Sequence, residues 1–262
     1  GSGNPQPADK EPTGREDNSG GAYPELIWLD DTSKDQFDGY VLALGAAYDA
    51  AEGDPDIDDA LVDRLVADAR AIGTSLMVRR DVGATRMADL VLVDADGRVT
   101  SFHDLSAEEI TPGTVAARPT NGFNGLMGLG AMRTLFHITG DSAIGRFYYE
   151  ELVGARAYFA NAEDTVGLMY QAEGTNFSNV NMAFVAAWGV LRYETDPVVR
   201  GMMARVLEGA LYAPGREREA RGLGMPFFDC LYAGCHAAGA GDAAGGRAID
   251  EGTATLRVWP GA

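Results

Sequence analysis

Residues 120–141 read TNGFNGLMGLGAMRTLFHITGD, and the fold turns on this stretch. Between Gly125 and Leu135 the only charge is Arg133, and no polar stripe recurs at helical spacing. A helix without a wet face is buried on all sides, and Gly125, Gly128 and Gly130 let neighbouring backbones come close. Thr120 and Asn121 supply side chains that cap exposed N–H groups. Gly140 and Asp141 stop this helix and start the next.

The same arrangement recurs along the chain. Thr32-Ser33-Lys34-Asp35-Gln36-Phe37-Asp38 opens the apolar run YVLALGAAYDA, which ends at Gly53-Asp54-Pro55, and Ser33 with Gln36 has the spacing of a capping box. Thr175-Asn176-Phe177-Ser178-Asn179 opens VNMAFVAAWGVLRYE, which ends at Thr195-Asp196-Pro197. A weaker fourth copy runs from Met225-Pro226-Phe227-Phe228-Asp229 to Gly241-Asp242. Each closing is followed by a one-sided stretch. The apolar sides are expected at Leu61, Val62, Leu65, Val66 and Ala69, then at Ile144, Phe147, Tyr148, Leu152 and Ala155, then at Val198, Met202, Val206 and Ala210. Alternating buried and one-sided helices predict an all-α domain of stacked αα-hairpins, an incomplete or small α/α toroid or an open solenoid. One insertion interrupts it: residues 87–102, with the Asp94-Ala95-Asp96-Gly97 turn at their centre, read as a β-hairpin. That turn lacks the ligand ladder of a calcium loop.

The chain has 262 residues, a net charge of −18 and 46% hydrophobic residues, which suits a domain with a sizeable core. The acidity excludes general nucleic-acid binding and disfavours an anionic membrane surface. No apolar run is long enough to cross a bilayer. Residues 1–22 lack branched aliphatic and aromatic side chains and read as a flexible tether ahead of a domain spanning 23–262. A tether of this kind suits an exported bacterial protein, secreted or periplasmic, or a lipoprotein; the leading Gly-Ser equally suits a cloning scar. Cys230 and Cys235 are spaced for two buried free thiols, and no CxxC, HExxH or His pair signals a metal, so neither metal nor cofactor is expected.

Several residues carry candidate chemistry. Asp35 and Asp38, three apart on a first helical turn, share a face with Cβ atoms about 5–6 Å apart. Two close carboxyls divide acid and base roles by pushing their pKa values apart, although first-turn acids also serve the helix dipole. Asp229 holds the matching place in the fourth copy, and His236 stands near it as a lone general acid. Asn124, Asn176 and Asn179 gather at helix starts, where an amide either binds sugar hydroxyls or caps the helix. Phe37 and Phe177 sit near helix openings, and Tyr40 and Trp188 lie on inner helices; such rings stack on ligands or pack hairpins together.

The TSKDQFDG opening (residues 32–39), acidic and aromatic at the head of a glycine-rich inner helix, resembles the α/α-toroid superfamily of six-hairpin glycosidases. It also resembles secreted bacterial proteins of that shape, with the likeness covering about residues 27–255. The resemblance implies cleavage of a glycosidic bond in a funnel at one end of the inner helices, with a glycan or other small molecule as ligand. A six-hairpin toroid has about twelve helices where this sequence shows about eight. That implies a piece of a longer protein, a ring with fewer hairpins or an open array. The competing reading is a helical scaffold that binds a peptide or glycan without turnover. A diphosphate site of terpenoid type would need an acidic motif lining the cavity, and DPDIDD at 54–59 opens an outer helix instead.

Overall fold

The computed structural model describes residues 14–16, 27–29, 31–83, 86–94, 97–108, 120–169, 175–212, 215, 219–236 and 243–258. Among them are nine α-helices and three small antiparallel sheets of two strands each, so the domain is mostly helical with a β-hairpin region.

Four helices begin where the repeated openings predicted. They are α1 (Lys34–Ala51), α3 (Gly122–Thr139), α6 (Phe177–Tyr193) and α8 (Pro226–His236). Ser33 and Gln36 form the expected capping box on α1. Asn121 caps α3, and Gly140 closes it in the left-handed region at φ +58°, a conformation that costs glycine little. Every residue of α3 from Gly122 to Leu135 is buried. The seam with α6 is backbone against backbone: a Cβ on Gly130 would lie 2.6 Å from the Ala186 carbonyl oxygen.

α1, α3 and α6 run parallel. At one end Lys34 Nζ donates to Asn124 Oδ1 at 2.8 Å; at the other, Asp49 accepts from Arg192 and pairs with His137. α8 starts beside the opening turns of α6, with Phe228 stacked on Phe184 at 4.0 Å between ring centres. The N-termini of these helices therefore share one end of the molecule.

The partner helices are α2 (Asp59–Met77), α4 (Ser142–Arg146), α7 (Pro197–Val206) and α9 (Ala243–Arg257). α4 and α7 each pass into a π-helical stretch, Phe147–Ala155 and Leu207–Tyr212. After the first of these, Ala157 turns the chain at φ +50° into α5 (Tyr158–Thr165), a helix the sequence pattern did not separate from its predecessor. Of the expected apolar face of α7 and the stretch after it, Val206 and Ala210 are buried and Met202 is half-buried. Val198 is exposed instead, and Val199 and Met203 are buried, because the face that meets α5 and α6 also takes in their positions. On α2, Leu61 is exposed and the buried face is Ala69, Gly73 and Leu76.

The strands are β1 (Gly14–Glu16), β2 (Ile27–Leu29), β3 (Arg80–Asp81), β4 (Met87–Ala88), β5 (Val91–Val93) and β6 (Val99–Asp104). β5 and β6 form the predicted hairpin, with Gly97 at φ +80° in its turn. Its base is seated on the helices: Leu90 N–H donates to the Leu76 carbonyl, and Leu105 packs over Gly128. Within the stretch expected to be a tether, Gly14–Glu16 pairs with Ile27–Leu29; the rest of residues 1–22 lies outside the described residues. Both cysteines are free as predicted, but Cys230 is exposed; burial pushes the Cys235 thiol up to about 12.

Candidate functional site

The shared N-terminal end of the inner helices holds the candidate carboxyls. Asp35 is exposed on the first turn of α1, and Asp38 is only 4% exposed. Lys34, Asp38 and Gly45 lie on one face of α1 by helical spacing, and Gly45 meets Thr134 of α3 and Tyr193 of α6. Asp38 thus faces the inner helices. Burial, and then the charge of Asp35, hold its carboxyl well above the ordinary carboxylate range, and its buried Oδ2 has no hydrogen-bond partner among the described residues.

Asn124 is fully buried one helix away. Its Oδ1 accepts from Lys34, so its Nδ2 must point elsewhere, and that donor has no partner. Lys34 also lies 5.3 Å from the centre of the Phe123 ring. An orphaned acid and an orphaned amide donor within a turn of two adjoining helix starts are unusual in a folded interior, where buried polar groups are nearly always paired.

The remaining predicted residues divide among other places. Asn176 is a cap: its Oδ1 accepts from the Ser178 and Asn179 amides. Asn179 is half-buried on the first turn of α6. Phe177 lines a hollow of about 220 Å³ with Asn181, Leu223, Met225 and Phe228, between α6 and α8. Asp229 is buried at the seam of α8 with α9, where Tyr212 donates to it at 2.8 Å and Gly252 packs on it. Burial raises the Asp229 carboxyl, and Tyr212 partly offsets this. The seam is set by helical phase: Phe228 takes the α6 side, which turns its neighbour Asp229 towards α9. The His236 side chain lies outside the described residues.

Phe37 and Tyr40 face away from the carboxyls. They line a cleft of about 600 Å³ between α1, α2 and β5, with Gln36, Ile72, Ser75, Leu76 and Val91–Val93. Trp188 is half-buried, edge-on to Tyr193.

A network that the sequence did not reveal surrounds the chain as it enters α3. Glu108 Oε2 accepts from Ser106 Oγ and from Tyr158 Oη, both at 2.5 Å. Arg156 grips Asp89 through two hydrogen bonds of 2.6 and 2.7 Å. Among the described residues, the two non-glycine residues at positive φ, Leu90 and Ala157, directly follow the members of this ion pair, so the clamp holds two strained turns. Burial and then Glu108 push the Tyr158 hydroxyl up, and it stays a proton donor. No local sequence signal marks these partners, because Asp89 and Arg156 are brought together by the hairpin's seat on the helices.

Among the described residues, no group of three or more His, Cys, Asp or Glu is placed to hold a metal, and no helix is long and apolar enough to cross a membrane. No family model matches the chain, and comparison with curated proteins and with solved structures returned no match.

Proposed function

We propose that the protein is a carbohydrate-active enzyme of the α/α-toroid type that cleaves a glycosidic bond at the N-terminal end of its inner helices. The observation that carries this reading is Asp38: a buried carboxyl beside an ionisable neighbour, with an oxygen that no described residue satisfies. Such a group holds its proton to higher pH than an ordinary carboxylate does, the direction the role of general acid requires. Asp38 gives its proton to the glycosidic oxygen as the C–O bond breaks. Exposed Asp35 takes a proton from the water whose oxygen bonds the sugar carbon. Asn124 Nδ2 and Asn179 are the hydroxyl-binding donors. The strongly acidic surface favours neutral glycans over sulfated or uronic ones. An exported bacterial setting belongs to the same proposal.

The test is a panel of neutral and acidic glycans, followed by reducing ends and by the ultraviolet absorbance of unsaturated products. The expected result is reducing ends without unsaturation, with kcat lowered about a hundredfold or more in Asp38→Asn. Turnover that survives combined Asp35→Asn and Asp38→Asn overturns this site.

A second reading, a helical scaffold that binds a peptide or glycan without turnover, is favoured by one observation. The larger hollow opens on the opposite side of α1 from Asp35 and Asp38, and Asp38 is only 4% exposed. A folded sample that binds a glycan and cleaves none selects it.

A further inference from the structure

We infer that the cleft between α1, α2 and β5 is a saccharide-holding site separate from Asp35 and Asp38. The choice of ligand rests on the carbohydrate reading above, but the site does not depend on catalysis.

Helical geometry separates the two sites. At about 100° per residue, Gln36 and Tyr40 share one side of α1, and Asp35 with Asp38 lie about 150° round from them. The cleft, at about 600 Å³, falls within the range that takes a small ligand. One wall is aromatic and aliphatic. Tyr40 is 52% exposed, with Phe37 and Ile72 beside it in the lining.

The polar side chains in the cleft are oriented before any ligand arrives. Gln36 Oε1 accepts the Ser33 amide at 3.1 Å, which fixes the amide plane and leaves Nε2 as a donor. Ser75 Oγ accepts from Arg80 Nη2 at 3.0 Å, and Arg80 is anchored in turn on the Ser75 and Val78 carbonyls. A guanidinium only donates, so the Ser75 proton is left for an acceptor. A flat apolar wall facing two pre-set donors matches a pyranose, which offers a C–H face on one side and hydroxyl oxygens at its edge. Pre-set donors also spare the ordering cost of binding. A cationic ligand fits less well. A cation has no partner there, since no acidic side chain among the described residues lines the cleft.

The test uses xylohexaose, cellohexaose, maltohexaose and chitohexaose as probes, with saturation-transfer NMR and titration calorimetry on the full chain. The expected result is binding of at least one probe, weakened about tenfold by Tyr40→Ala, with binding retained in Asp35→Asn combined with Asp38→Asn. Ile72→Trp, which fills the cleft, removes binding, and far-ultraviolet circular dichroism reports whether each variant is folded. No binding of any probe to folded protein overturns the inference, as does binding indifferent to both cleft variants. Cleft binding without cleavage removes the proposed activity and leaves this site standing. Cleavage lost in the aspartate variants while no probe responds to the cleft variants does the reverse. Displacement of the probe by an extended peptide running along β5 would assign the cleft to peptide and overturn the inference.

Discussion

At the N-terminal end of the inner helices Asp38 is buried with its carboxyl pushed up and one oxygen unpaired, while at the C-terminal end Asp49 is held down. Burial works to raise Asp49 too, but hydrogen bonds and charge from His137 and Arg192 outweigh it. The C-terminal end is built of opposed charges. Arg133 Nε stands 3.2 Å from Glu194 Oε2, meeting it as a charge rather than in hydrogen-bond alignment. Glu194 Oε1 accepts from Tyr149 and from the Thr195 and Asp196 amides. Arg133 and Arg200 donate to the Tyr193, Leu191 and Glu194 carbonyls at the end of α6, where a helix dipole favours cations. Both ends hold buried polar atoms without a hydrogen-bond partner among the described residues, Arg133 Nη1, Tyr148 Oη and Tyr193 Oη at the C-terminal end and Asp38 Oδ2 and Asn124 Nδ2 at the other. The C-terminal end sets its carboxylates against guanidinium groups, whereas the Asp38 carboxyl is raised by burial and by Asp35. The carboxyl without a counter-charge, not unpaired polar atoms as such, is the physical reason to place acid chemistry at the N-terminal end.

The largest effect expected from breaking this contrast is at Glu194. Glu194→Gln leaves Arg133 buried without its counter-charge and should lower stability by about 3–5 kcal/mol in urea unfolding. A loss under about 1 kcal/mol would show that the C-terminal end is not a charge-built fastening.

Next come the two aspartates, which should respond to pH with opposite sign. Folding raises the Asp38 carboxyl, so its contribution is present below the unfolded carboxylate range and is lost as pH rises through the folded value. Asp38→Asn should therefore raise Tm at neutral pH and flatten the decline above the ordinary carboxylate range. Folding lowers Asp49, so its contribution is present above the unfolded value and is lost as pH falls through the folded one. Asp49→Asn should cost about 0.5–1 kcal/mol at neutral pH, since the pair is partly exposed, and nothing in strong acid. Thermal melts of both variants across pH check this, and slopes of the same sign would dissolve the contrast.

The smallest effect sharpens the packing side. Gly201 on α7 has open space around its missing Cβ, so Gly201→Ala should add about 0.5 kcal/mol by restricting the unfolded chain. A loss there would mean that α7 lies closer to its neighbours than the structure shows.

Caps, glycines and apolar runs were legible because they act within one turn of chain. Asn121, Gly140 and the Ser33–Gln36 box mark their helix ends, and the all-round apolar character of α3 announces its burial. Side-chain direction was less legible. Asn176 chose capping, Asp229 turned to Tyr212 and α9, and Phe37 with Tyr40 turned to α2 and β5. Each depends on which neighbour a helix face meets, which spacing along one helix does not state. The Asp89–Arg156 clamp joins residues 67 positions apart, and the α5 break depends on Ala157 tolerating positive φ beside it.

The sequence by itself determined the helical class, the inserted hairpin and the starts of the four inner helices, because propensity, capping and hydrophobic period are local. Only the tertiary structure decided that α1, α3 and α6 run parallel, with Asp38 buried and its carboxyl raised at one end and the ion pairs Arg133–Glu194 and His137–Asp49 at the other. Burial and pairing come from packing between helices, and packing sets the pKa of a carboxyl that the same sequence would leave ordinary in water.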